Sequence, residues 1–269
     1  MRCTYSLACR IRRFLLTLAL ALLVAFAITH LTGLWRQALI ARPVAPPPAG
    51  MVLVPAGYFL MGSNDSDAEA DERPLRRVFL PAFYLDRYEV TNRQFASVFP
   101  AHKFPPGEED LPVSHVLKPE AEAYAAAIGR RLPTNAEWEK GARGTDGRRY
   151  PWGNDFRPDC ANVQRRETAA RPGGQSCALL PGRKQRVGSY PCGASPYGAL
   201  DMAGNVWEWV ADVYEDRGPF GLPVGPARGI LRGGAFGYGA REARCSFQGF
   251  ESLTATCNDT GFRCAQDAR

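Results

Sequence analysis

The 269-residue chain carries 33 lysines and arginines against 27 aspartates and glutamates, a formal net charge of +6. All of that excess lies in residues 1–50, where Arg2, Arg10, Arg12, Arg13, Arg36 and Arg42 are the only Lys, Arg, Asp or Glu side chains. The rest of the chain is formally neutral, which argues against reading the basic pI as a nucleic-acid signal, so no nucleic-acid partner is expected and the pI reports topology instead. Phe14 to Leu34 has no Lys, Arg, Asp or Glu, and as a helix rising ~1.5 Å per residue it would cross a bilayer core of ~30 Å. Four arginines precede this run and two follow it, which by the positive-inside rule leaves residues 1–13 cytoplasmic. A cleaved signal peptide is the competing reading. No small-x-small site and no lipobox-like cysteine follow the run, which favours an uncleaved anchor at 14–34 in the inner membrane. Residues 35–50 then form a stiff Pro-rich tether, and 51–269 form one domain in the periplasm or elsewhere outside the cytoplasm.

Cysteine usage divides along the same line. Cys3 and Cys9 fall on the reducing side, as free thiols or lipidation sites. Cys160, Cys177, Cys192, Cys245, Cys257 and Cys264 fall in the exported part, an even set able to form disulfides. None stands in a C-x-x-C pair, which argues against a zinc cluster.

Taken in chain order, Val52-Leu53-Val54 and Tyr58-Phe59-Leu60-Met61 flank a Pro-Ala-Gly turn and predict a hairpin. Residues 64–72, rich in Asp and Glu, lack the glycine and spacing of an EF-hand and predict a solvated face. Val78-Phe79-Leu80 and Phe83-Tyr84-Leu85 predict two further strands. A capping box at Thr91–Gln94 starts a helix through Phe95, Val98 and Phe99. His102 and His115 read as surface or packing residues rather than as metal ligands. Glu120–Gly129 predicts an alanine-rich helix closed by its glycine, and a second capping box at Thr134–Glu137 starts another. From Gly144 to Gly204 the turn punctuation predicts long ordered coil. Trp207 and Trp209 alternate at strand period with Val206, Glu208 and Val210. The sum is an α+β domain of short antiparallel strands, two main helices and much coil.

Seven segments together resemble the formylglycine-generating enzyme family, the sulfatase-modifying-factor domain. They are Phe59-Leu60-Met61-Gly62-Ser63; Tyr84 to Asn92; Arg130 to Glu139; Tyr150-Pro151-Trp152-Gly153; Tyr197 to Val210; Leu231-Arg232-Gly233-Gly234; and Gly261-Phe262-Arg263-Cys264. The resemblance implies a variant of the C-type-lectin fold. It also implies, in active members, oxidation of a substrate cysteine with O2 and a copper(I) ion held by two thiolates, soft ligands for a soft ion. Those cysteines belong between the Arg-Gly-Gly and the next Arg-Cys. Here that interval, Ala235 to Arg244, contains none, and it is shorter than in active members. The family's substrate-contacting serine is replaced by Ala235. Copper is therefore not expected. Iron-dependent relatives use a histidine cluster that this chain does not supply.

The resemblance further implies a structural calcium bound by the side chains of Asp201 and Glu208 and the carbonyls of Gly204 and Val206; the alternative is that these carboxylates cap local amides. A second calcium site, at Asn162 and Val163, is left open. Trp207 matches a residue lining the family's peptide groove. Arg232 and Arg241, with Arg244 and Arg263, either hold an anionic or peptide ligand or tie loops to buried carboxylates. Cys245 and Cys264 match family cysteines whose partner positions here are Ala125 and Ala142, so an altered pairing is expected: Cys245 with Cys264, and the other four among themselves. The functional expectation is a membrane-anchored, non-catalytic binding or accessory module that recognises an exported protein or glycan. The alternative is an oxidoreductase or maturation factor acting on an exported protein or small molecule.

Overall fold

The computed structural model describes residues 20–28, 45–164, 182–216, 222–255 and 257–268. Of the expected membrane span, residues 20–28 are helical, and the rest of 14–34 lies outside the described residues, as do 1–13, most of the tether and Cys177. Among the described residues, no helix is long and apolar enough to cross a membrane. Val44–Arg269 forms a compact unit of its own.

That unit is α+β, with strands in three small sheets. β1 (Met51–Val54), β4 (Phe83–Asp86) and β9 (Ala265–Asp267) form one antiparallel sheet with β4 at its centre. β2 (Gly57–Met61) pairs with β3 (Arg76–Leu80). The third sheet has the order β7-β6-β5-β8 and uses β5 (Trp207–Tyr214), β6 (Arg228–Arg232), β7 (Gly249–Ser252) and β8 (Thr260–Phe262), with β5 and β8 parallel. The expected hairpin between β1 and β2 does not form. β1 takes β4 as its partner and β2 takes β3, while the carbonyls of Pro55 and Gly57 at the corner accept from Lys140 Nζ at 2.6 and 3.0 Å. A buried ammonium thus satisfies the turn that hairpin bonds would have satisfied.

Among the described residues of this unit three α-helices form, each at a segment expected to be helical, and their starts follow the caps. Thr91 and Gln94 close a reciprocal box at α1 (Asn92–Val98), and Thr134 and Glu137 close another at α3 (Asn135–Arg143). Between them, α2 (Lys118–Ala127) begins two residues earlier than expected because Pro119 fits the first turn and Glu120 accepts the Leu117 N–H at 2.8 Å. α3 lies so close to β4 that a Cβ at Gly141 would meet Leu85 Cδ2 at 2.5 Å. The core has two main centres. Phe95, Tyr124, Trp207, Trp209 and Phe262 gather in one; Phe83, Leu85, Trp138, Met202 and Val210 gather in the other.

Within Gly144 to Gly204 the described residues carry no strand and only one short 3-10 turn, at Pro191–Gly193. A Cys160–Cys192 disulfide pins this coil. Cys257 is also disulfide-bonded. Cys245 and Cys264, expected as a pair, are instead free and buried. Cys264 belongs to the apolar cluster that contains Ala125, and Cys245 to the one that contains Ala142. Each thiol thus lies in a different part of the core.

Candidate functional site

The glycine pair Gly233-Gly234 turns the chain out of β6 and leads it into Ala235 and Phe236, both buried. Trp207, on the neighbouring strand β5, is covered from this side. Tyr238 meets it edge-on at 5.2 Å between ring centroids and Phe247 lies at 6.1 Å, leaving Trp207 4% exposed. The tryptophan expected to line a groove is part of an aromatic stack. Arg232 is fully buried as well. Its guanidinium donates to Glu139 Oε2 at 2.5 Å and to the carbonyls of Cys245, Ser246 and Phe247 at 2.9 Å each. Of the two roles open to Arg232, these bonds are those of a loop tied to a buried carboxylate: it anchors the 245–247 turn to Glu139 of α3.

Arg241 is more open. It pairs with Glu69 and lies over the Phe247 ring at 5.4 Å. Arg244, buried beside it, pairs with Glu72 at 2.8 Å. Arg149 reaches Asp67 at 2.5 Å, and Ser246 Oγ donates to Glu72 Oε2 at 2.6 Å. The acidic segment 64–72, expected as a solvated face, is therefore a strap fastened by three arginines across the 241–246 turn. Sequence spacing carries no trace of this, because the partners lie far apart along the chain.

Asp201, Gly204 and Asn205 all take left-handed backbone, at φ of 57, 78 and 63°. A Cβ at Gly204 would meet the Asn162 carbonyl at 2.4 Å, so this position requires glycine. Around the loop sit three buried carboxylates. Glu208 receives Arg263 Nε and Nη2 at 2.7 Å each, and Trp138 Nε1 at 2.7 Å. Asp201 Oδ2 accepts the Gly188 N–H at 2.6 Å. Glu89, which lies inside the Tyr84–Asn92 motif without a role assigned from sequence, accepts from Asn205 Nδ2 at 2.8 Å and from the Val206 N–H at 3.2 Å. Burial, then the charges of Asp201 and Glu208, push the Glu89 carboxyl well above its ordinary range, and burial pushes Asp201 up too.

This donor set does not fit a calcium ion held through Glu208. Both Glu208 oxygens are engaged by a guanidinium that already neutralises them, and Asp201 caps an amide. Among the described residues, no group of three or more His, Cys, Asp and Glu is arranged to hold a metal. Burial pushes the Cys245 thiol up to about 12 and the Cys264 thiol well above its ordinary value.

His102 and His115 converge on one cavity, beside Phe95, Phe99 and Val116. The sequence reading missed this because they sit in separate loops whose approach depends on tertiary packing.

Against known proteins, residues 36–268 match the family described as the sulfatase-modifying factor enzyme 1-like domain. The chain belongs to that family. Its relatives include the formylglycine-generating enzyme of Thermomonospora curvata, 34% identical over 81% of this chain and 93% of the relative. They also include the inactive C-alpha-formylglycine-generating enzyme 2 of Mus musculus, 30% identical over 81% of this chain and 86% of the relative. Among solved structures, PvdO from Pseudomonas aeruginosa is similar at a TM-score of 0.64 and 25% identity, over 84% of this chain and 98% of that one.

Proposed function

We propose that this chain is a membrane-anchored, extracytoplasmic member of the sulfatase-modifying factor family that serves as a binding or accessory module for an exported protein or glycan. The observation that carries this reading is the reaction segment itself. Ala235 to Arg244 contains no cysteine, Trp207 is covered by Tyr238 and Phe247, and the adjacent Cys245 thiol is buried and held protonated. A relative named as inactive is consistent with it. Anchoring is supported by the uncharged run at 14–34 and by Leu20, Leu22, Leu23, Phe26 and Ile28, which leave the helix at 20–28 apolar and exposed. Export is supported by the Cys160–Cys192 disulfide, which an oxidising compartment maintains.

The second reading, an oxidoreductase or maturation factor working without the copper thiolates, is favoured by the 34% identity to a formylglycine-generating enzyme over most of both chains. Metal analysis and O2 uptake on the purified full-length chain separate the two. No stoichiometric copper or iron, and no O2 uptake with a cysteine-containing peptide or with periplasmic extract, is the expected result. Stoichiometric redox metal with substrate-dependent O2 uptake would overturn the binding-module reading.

A further inference from the structure

Two open cavities meet at His115. One, of about 520 Å³, has apolar walls that include Phe95, Phe99 and Val116. The other, of about 660 Å³, has a mixed polar and apolar lining that includes Lys184, Ser114 and Phe236. His115 lines both. It stands between them in left-handed backbone, φ 59°, a conformation uncommon for a bulky residue, and its N–H is fixed to the Cys257 carbonyl at 2.9 Å.

Two polar groups here have unused capacity. Asn92 Nδ2 donates to the Glu108 carbonyl at 2.8 Å, which turns Asn92 Oδ1 toward His102 Nε2 at 3.2 Å. That contact puts the proton of the neutral imidazole on Nε2 and leaves Nδ1 as an acceptor without a partner among the described residues. Lys184 Nζ donates to the Pro112 carbonyl at 3.1 Å and to Ser114 Oγ at 2.6 Å, so one ammonium N–H is left over. No carboxylate among the described residues lies within ion-pair distance of it, although Glu108 stands on the same rim. A half-buried cation that lacks a counter-ion favours an anion at its free N–H. The Lys184 charge, after burial, lowers the pKa of both His102 and His115, so its field reaches across the junction of the two lobes.

We propose that this two-lobed cleft binds a small amphipathic carboxylate, its apolar body in the Phe95–Phe99 lobe and its carboxylate at Lys184. The inference goes beyond the binding-module reading, whose partner is an exported protein or glycan, and adds a small-molecule ligand to it. O2 uptake decides that reading without reference to the cleft, so the two fail separately.

The probe is 4-(4-fluorophenyl)butanoate, followed by fluorine NMR on the full-length chain in detergent micelles, with protein-free micelles as the blank for partitioning. Saturable binding is expected, about tenfold weaker for the corresponding primary amide and for Lys184→Met, as expected for loss of one charge-assisted hydrogen bond. Phe99→Ala should weaken acid and amide by the same factor. Absence of saturable binding, equal affinity for acid and amide, or an unchanged affinity in folded Phe99→Ala would overturn the proposal. The acid–amide comparison uses the unaltered protein, so it decides the point even if Lys184→Met does not fold.

Discussion

Among the described residues, Arg263 is the one cation in an ion pair with Glu208, and it also donates to the carbonyls of Asp86 and Leu200 at 3.1 and 2.9 Å. Replacing it with Met would leave Glu208 as an uncompensated charge in the core, and Arg263→Met is expected to cost about 3–5 kcal/mol in urea denaturation. Glu89 behaves in the opposite sense. Its carboxyl is held above the ordinary 4.5, chiefly by burial, so the folded state keeps a proton that the unfolded state releases. The stability it contributes is fully present below 4.5 and is lost as pH rises through the folded value. Glu89→Gln should flatten this alkaline-going decline, read as the denaturation midpoint from pH 4.5 upward; a decline of unchanged slope would show that Asp201 carries it instead. Asp201 and Glu208 were legible as a pair of carboxylates in the Asp-Met-Ala-Gly-Asn-Val-Trp-Glu motif. Their partner Arg263 was legible only as part of a separate motif, because nothing in local spacing reports a contact that closes over 55 residues.

At the scale of elements, the helix starts were readable and the strand partners were not. Capping boxes are local, and both expected boxes form with their own residues. β1 and β2 look like a hairpin because they are adjacent and apolar, yet each finds a better-placed partner across the sheet. The acidic strap shows how exposure divides charge pairs of similar appearance. Arg244 and Glu72 are both buried, whereas the Arg241 and Glu69 side chains are 37% and 42% exposed. Arg244→Ala is therefore expected to destabilise by about 3–5 kcal/mol, and Arg241→Ala by no more than about 1 kcal/mol, a loss that added salt reduces further. Equal effects in parallel denaturation curves would contradict the assignment of the strap to one buried and one solvent-screened clasp.

Across the whole molecule, buried ion pairs and glycine turns tie the sheets and loops together. The glycine turns, the Arg232–Glu139 anchor and the Glu208–Arg263 pair are connections within the fold, and none of them requires a thiolate. Because both Glu208 oxygens already accept from the Arg263 guanidinium, thermal unfolding in EDTA and in calcium should give the same midpoint. A higher midpoint that scales with calcium concentration would show a site binding the native state and would reopen the assignment of Asp201 and Glu208.

What the sequence by itself determined was set by local chemistry and by order along the chain. The charge asymmetry of the leader, the capped helices, the alternating strand at Trp207 and the family motifs in their order all act within a few residues or are simply counted. The absence of cysteine from 235–244 is of the same kind. Tertiary structure alone decided that Arg232 faces inward, that residues 64–72 clasp three arginines, that Cys245 and Cys264 lie in separate parts of the core, and that His102 and His115 share a cavity. Each of those depends on segments distant in sequence meeting in a low-dielectric interior, where a charge or a thiol is defined by what is packed against it.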